Sequence, residues 1–276
     1  MMITEEGSFT FAQLCDPQLG MGGYEDDKAR FAQAVSQINE LKPNFALVCG
    51  DLVDRPDDQS YGDIMELMKG LDIPCYWVPG NHDLLFEPYD HELGISQKES
   101  LRRYREALGD DYFSFSHQRV RFVCVNTQLW FSPVADESEK QDRWLRSVFK
   151  DARENEENIY VVGHHPLFLV DPDEEDGYYN IPTAKRTELL KLFSTHEVRA
   201  FLSGHTHRPI LNTHGSMELV AGEPTSVAFR GQLGFRLWEV SAMGQSVNNL
   251  VPLDHKKENS RRETPKGVGS VERRER

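Results

Sequence analysis

An α/β fold is predicted by three features of the sequence. Short apolar runs alternate with longer amphipathic segments in a βαβαβ order, and the second half closes on strands of hairpin type. The third feature is a set of polar clusters, each at the end of an apolar run, where α/β sheets place their ligand sites.

The strands come first. Runs rich in Val, Phe and Ile at Phe9–Cys15, Phe45–Cys49, Cys75–Val78, Arg121–Val125, Ile159–Val162 and Ala200–Leu202 have the length and composition of buried strands. Between them, Asp27–Leu41, Tyr61–Leu71, Gln97–Leu108, Glu139–Arg153 and Thr183–Thr195 carry helical spacing; in the first, Ala29, Phe31, Ala32, Val35 and Ile38 form the apolar stripe. The segments HGSMELVAGEPTSVAF and LGFRLWEVSAMGQSVNNLVPL then read as hairpin strands separated by glycine-containing turns, so the fold should close with antiparallel structure. After Leu253 the sequence is charged and almost free of apolar residues, which predicts one folded domain over 1–253 and a disordered tail over 254–276.

Charge narrows the function. The chain of 276 residues carries a net charge of -14; the tail contributes 8 Lys/Arg and 5 Asp/Glu, a balance of +3, which leaves the body at -17. Such a body repels phosphate backbones, so a nucleic-acid substrate is disfavoured. No basic leader and no apolar stretch of membrane-spanning length is present, and the four cysteines lie in apolar runs without a CxxC pair. The expectation is a cytoplasmic protein with reduced structural thiols, no membrane partner and no disulfide.

The polar clusters are CDPQLG, CGDLVDR, PGNHDLL, VGHHPLF and SGHTHRP, in that order. Loops at the carboxyl ends of the strands would bring Asp16, Asp51, Asn81, His164, His205 and His207 together. Carboxylates, an amide oxygen and imidazoles make a mixed oxygen and nitrogen set suited to divalent Mn, Fe or Zn.

In order and type these clusters resemble the calcineurin-like metallophosphoesterases, whose pattern is D-x-H, G-D-x-x-D, G-N-H-D/E, G-H and G-H-x-H. The resemblance spans roughly Phe9 to Pro252. DPQ, GDDYFSF, NTQLW and HHPLFL, followed by an acidic loop and YYNIP, are similar to a branch related to a cytosolic serine/threonine phosphatase. The resemblance implies a four-layer α/β/β/α sandwich with two central mixed sheets and two divalent ions. It puts Asp16 and His207 on the first ion, Asn81, His164 and His205 on the second, and Asp51 between them, with a hydroxide between the ions as nucleophile. It further implies His82 as general acid, oriented by Asp54. Arg55 is either a phosphate clamp or a solvated loop arginine.

Gln18 departs from the wider pattern, which has histidine there. Its carbonyl oxygen either binds the first ion or holds a water of that ion; both readings weaken the first site and its preference for zinc. Of the adjacent His164 and His165, the H-x-P spacing to Pro166 selects His164, and His165 reads as a supporting or surface residue. His91, His117, His196, His214 and His255 read as structural or solvated. The acidic loop Asp171–Asp176 is a solvated connection or a rim that selects substrate. The function implied is hydrolysis of phosphate monoesters on a phosphorylated small molecule or phosphoprotein, possible phosphoserine and phosphothreonine included; a phosphodiesterase and a non-catalytic scaffold are the alternatives.

Overall fold

Side chains on the central strands alternate between two apolar environments, which fixes the layer order. In β1 (Phe9–Leu14) and β2 (Phe45–Cys49), Phe9, Phe11, Phe45 and Leu47 face one core, while Ala12, Leu14, Ala46 and Val48 face another. A strand buried on both faces needs a layer on each side. The computed structural model describes residues 7–84 and 94–253. The tail expected over 254–276, His91 and His255 lie outside the described residues.

Five strands form the first sheet, in the order β11-β10-β1-β2-β3, with β3 spanning Cys75–Val78, β10 Gly234–Val240 and β11 Ser246–Pro252. The second has the order β4-β5-β6-β7-β9-β8, from β4 (Phe113–His117), β5 (Val120–Cys124), β6 (Asn158–Val162), β7 (Ala200–Ser203), β8 (Ile210–His214) and β9 (Met217–Ala221). Both are mixed, because β1-β2-β3 and β5-β6-β7-β9 run parallel while the outer pairs are antiparallel. Helices α1 (Tyr24–Leu41), α2 (Asp58–Met68) and α4 (Gln97–Leu108) cover the first sheet with Phe31, Ile38, Ile64 and Leu101. Helices α6 (Glu137–Glu154) and α7 (Thr183–Thr195) cover the second with Leu145, Phe149, Leu189 and Phe193. Two short helices, α3 (Asn81–Leu84) and α5 (Gln128–Phe131), sit at strand ends. The layers are helices, sheet, sheet, helices, as the family resemblance implied.

Between the sheets the core is aromatic. Phe11 stacks on Phe45 (centroids 5.3 Å, planes 3° apart) and on Trp238 (5.5 Å, 8°), and Phe122 of the second sheet meets Phe11 edge-on at 5.3 Å. One polar residue is buried among them. The Gln13 amide donates to the Ser203 and Val220 carbonyls, both at 3.1 Å, and its oxygen accepts from Trp238 Nε1 at 2.9 Å. It therefore clasps β1 and β10 to β7 and β9.

The structure departs from the sequence reading at a few places. Strand β4 escaped it, because its alternation with serines leaves only a partly buried edge strand. Helix α2 starts three residues earlier than Tyr61, since the Asp57 side chain accepts from Ser60 N at 2.8 Å and caps it. In HGSMELVAGEPTSVAF the hairpin partner of β9 is β8, which lies before Gly215; the residues after Ala221 form a loop instead. All four cysteines are free thiols. Among the described residues no helix is long and apolar enough to cross a membrane.

Replacing Gln13 with leucine should strand the Trp238 N–H between the sheets and destabilise the chain by about 2 kcal/mol. Denaturant unfolding measures this. In a Trp238→Phe background the same substitution should be milder, and equal effects in both backgrounds would exclude the clasp.

Candidate metal centre

Every site residue sits just past the carboxyl end of a parallel strand: Asp16 after β1, Asp51 after β2, Asn81 after β3, His164 after β6, and His205 and His207 after β7. Asp16, Gln18, Asp51, His205 and His207 all adopt positive φ, at 48°, 34°, 50°, 69° and 49°. Left-handed backbone of this kind is disfavoured for residues with a side chain, at a cost of order 1 kcal/mol each, and its clustering marks a functional site. The glycines of the clusters have a steric reason. A Cβ on Gly50 would fall 2.7 Å from His164 Nδ1, and one on Gly80 would fall 2.1 Å from Asp51 Oδ1. Each glycine lets a side chain from another strand approach.

Backbone carbonyls choose which nitrogen each imidazole offers. A carbonyl only accepts, so the ring nitrogen facing it carries a proton and the other is left for a ligand. His164 Nδ1 donates to Cys49 O at 2.8 Å, His205 Nε2 to Tyr178 O at 2.8 Å and His207 Nδ1 to Val227 O at 2.6 Å. His164 Nε2, His205 Nδ1 and His207 Nε2 therefore face the site. The potential ligand atoms fall into two groups, each within 4.8 Å: Asp51, His164 and His205, and Asp16, Asp51 and His207. Asp51 belongs to both.

Three acceptors converge on one atom. His164 Nε2 lies 3.1 Å from Asn81 Oδ1, 3.2 Å from His205 Nδ1 and 3.3 Å from Asp51 Oδ2. One proton satisfies one of them, whereas a cation with several coordination positions satisfies all. The charges point the same way. Burial disfavours the His164 imidazolium, but Asp51 and then Asp16 outweigh it and hold the group up at about 9. Burial, followed by the neighbouring His164, drives His205 down to about 3. Burial also raises Asp16; the same pressure on Asp51 is overcome by His164 and His82, which keep its carboxylate ionised far below the usual range. This fully buried set of carboxylates and imidazoles fits a pair of divalent ions.

Gln18 is buried beside it. Its Nε2 donates to Asp54 Oδ1 at 3.2 Å, while its Oε1 has no hydrogen-bond partner. His82 lies at the edge, its backbone N–H donating to Asp51 Oδ1 at 2.9 Å. The sequence reading gave the Asp54 carboxylate the task of orienting His82. The nearer partner is the Asp54 backbone carbonyl, 3.1 Å from His82 Nδ1, with the carboxylate at 3.4 Å because it also serves Gln18. Burial lowers the His82 pKa, yet Asp51 and the Asp54 carbonyl outweigh that and raise it. Arg55, one residue on, is exposed. His165 is fully buried, hydrogen-bonded through Nδ1 to Thr127 Oγ1 at 2.9 Å and stacked on Phe131, so it supports the site and is not a surface residue.

Several residues escaped the sequence reading. Thr127 Oγ1 accepts from the backbone N–H of both His164 (3.3 Å) and His165 (3.0 Å). It follows β5, so the strand-end rule that pointed to the candidate ligands applies to it too. Asp83 accepts from the N–H groups of Leu52, Val53 and Gly80, tying the loops after β2 and β3 together. Phe229 stacks on His207 at 4.8 Å, and Tyr178 packs on His205 at 4.8 Å with its hydroxyl 3.2 Å from Asn81 Nδ2. Tyr178 opens the YYNIP segment, which the resemblance marked without giving it a role, and nothing local in the sequence marks Phe229.

Residues 9–209 match the calcineurin-like phosphoesterase family. The chain is 33% identical over 274 residues to the serine/threonine-protein phosphatase CPPED1 of Danio rerio, covering 90% of this chain and 85% of that protein. It is 25% identical over 229 residues to the 3',5'-cyclic adenosine monophosphate phosphodiesterase CpdA of Haemophilus influenzae, covering 79% of this chain and 77% of the relative. Among solved structures, a dimetal phosphatase from Danio rerio shares the fold with a TM-score of 0.61 at 18% identity, over 89% of this chain and 99% of that one. The family works through a dinuclear divalent metal centre, for which the two Asp and His groups of this site are suited. The chain belongs to the calcineurin-like phosphoesterase family and is a metal-dependent phosphoester hydrolase.

Proposed function

We propose that the chain hydrolyses phosphate monoesters, on phosphoserine or phosphothreonine of proteins or on phosphorylated small molecules, with two divalent ions of Mn, Fe or Zn. The observation that carries the residue assignment is the membership of Asp51 in both ligand groups. Asp16, His207 and Gln18 would complete one site, and Asn81, His164 and His205 the other. Bound ions would supply Lewis-acid activation of the phosphoryl group and of the attacking water. The phosphatase relative at 33% identity favours the monoester reading over the cyclic-nucleotide phosphodiesterase at 25%.

The chain's own groups would handle the leaving group and the phosphate. His82 keeps a proton on Nδ1 through the Asp54 carbonyl, and its raised pKa favours a second proton on Nε2, which it would donate to the departing oxygen. Asp54 orients both His82 and Gln18. Arg55, exposed beside them, is the guanidinium assigned to the incoming phosphate. The orphaned Gln18 Oε1 is what a neutral oxygen ligand leaves when nothing in the protein donates to it.

Chelation should abolish hydrolysis of p-nitrophenyl phosphate and added Mn should restore it; full activity in a sample shown by elemental analysis to be metal-free would exclude the mechanism. Asp51→Asn should lose more than the about 10- to 100-fold that follows removal of an outer partner of a metal ligand, since it serves both sites. His82→Ala should slow turnover of a phosphoserine peptide by about 10²- to 10⁴-fold with its metal content intact. The loss should be smaller for p-nitrophenyl phosphate, whose leaving group needs no proton, and equal losses on both substrates would remove His82 from the acid role. Gln18→His should raise the affinity of one site for Zn relative to Mn in calorimetric titration. Unchanged affinities for both would show that position 18 does not touch the ion.

A further inference from the structure

We propose that Tyr178 is a positioning residue for the second metal site, acting on Asn81 through its hydroxyl and on His205 through its backbone carbonyl. The proposal rests on the metal assignment given above. Asn81 could present either end of its amide to the site, and only the oxygen has a lone pair to give. The Tyr178 hydroxyl accepts from Asn81 Nδ2 at 3.2 Å, which leaves Asn81 Oδ1 turned inward, 3.1 Å from His164 Nε2. At the same time the Tyr178 carbonyl holds the proton on His205 Nε2 at 2.8 Å and frees Nδ1. The ring itself lies against the His205 imidazole, with centroids 4.8 Å apart. One residue thus sets the orientation of two ligands from different strands.

The acidic loop before Tyr178 is built to hold it there. The Glu174 carboxylate accepts from the backbone of Leu169 (2.8 Å), Val170 (2.9 Å) and Asp171 (3.3 Å) and from Asn180 Nδ2 (2.6 Å). Asp176 accepts from Thr183 N at 2.6 Å at the start of α7. The buried Arg186 guanidinium donates to the carbonyls of Glu174 and Ile181 and to Thr183 Oγ1. Asp171 Oδ1 also accepts from Asp173 N at 2.8 Å, so three of the loop's carboxylates are engaged with its own backbone and neighbours, and the loop is a brace that delivers Tyr178 to the metal centre.

Tyr178→Phe separates the two contacts, because it removes the hydroxyl and keeps the carbonyl. Tyr178 is 42% exposed, so the loss of one oxygen leaves the core packing unaltered. Metal-free full chain would be titrated with Mn by calorimetry as wild type, Tyr178→Phe and Asn81→Ala, with circular dichroism as the check on folding. The wild type should show two binding events, and Asn81→Ala should remove one. Tyr178→Phe should weaken that same event by about 10- to 100-fold and leave the other unchanged, with activity recovered at saturating Mn. A Tyr178→Phe titration that superimposes on wild type, or that weakens both events alike, overturns the role of Tyr178 and leaves the metal assignment standing. Two unaltered events in Asn81→Ala overturn the assignment and the role together.

Discussion

The face-to-face packing of the two sheets is the interaction on which the site depends. The carboxylates of Asp16 and Asp51 and the amide of Asn81 end strands of the first sheet, while His164, His205 and His207 end strands of the second. Neither sheet alone holds the complete set of candidate ligands. Their alignment comes from the aromatic layer of Phe11, Phe45, Trp238 and Phe122 and from the Gln13 clasp, which fills the one polar gap in that layer with a fully paired amide. Apolar packing supplies adhesion but little directional preference, whereas the three hydrogen bonds of Gln13 are satisfied in one register only.

Where the sheets meet, backbone strain and charge burial reinforce each other. Positive φ at Asp16, Asp51, His205 and His207 turns their side chains back across the strand ends, and glycines at 50 and 80 clear the space. The resulting cluster confines two carboxylates and three imidazoles away from water. Desolvation of that size is tolerated only when the charges are compensated, and Asp51 Oδ2 lies 3.3 Å from His164 Nε2. Asn81, His205 and Asp51 nevertheless crowd a single nitrogen, a geometry better suited to multivalent cations than to one hydrogen. The strained backbone and the buried charges therefore coincide at the candidate metal centre, where local cost of this kind tends to collect.

The supporting ring of contacts distributes this burden over the chain. Thr127 holds the backbone of His164 and His165, Asp83 ties the loops after β2 and β3, and the carbonyls of Cys49, Val227 and Tyr178 each accept from one candidate imidazole. Several of these partners are main-chain carbonyls, and together they link loops at the carboxyl ends of both sheets.

The alternation of strands and helices and the polar residues at the strand ends were legible in the sequence by itself, while the four-layer order and the roles expected of those residues came from the family resemblance. Apolar runs with period 2, helical stripes with period 3.6 and polar residues at strand ends are local patterns, and each follows from the geometry of one element. Strand β4 and the true partner of β9 were not legible, because a half-buried edge strand and a hairpin register take their definition from neighbours. Only the tertiary structure decided which ring nitrogen each histidine turns to the site, that the Asp54 carbonyl rather than its carboxylate is nearer to His82, and that Tyr178 touches Asn81. These contacts join atoms of residues widely separated in the chain, 115 positions apart for Cys49 and His164, and many of the acceptors are backbone carbonyls. Every residue but none in particular carries a carbonyl, so its use as a hydrogen-bond acceptor leaves no mark in the order of side chains and arises only when the two sheets close on each other.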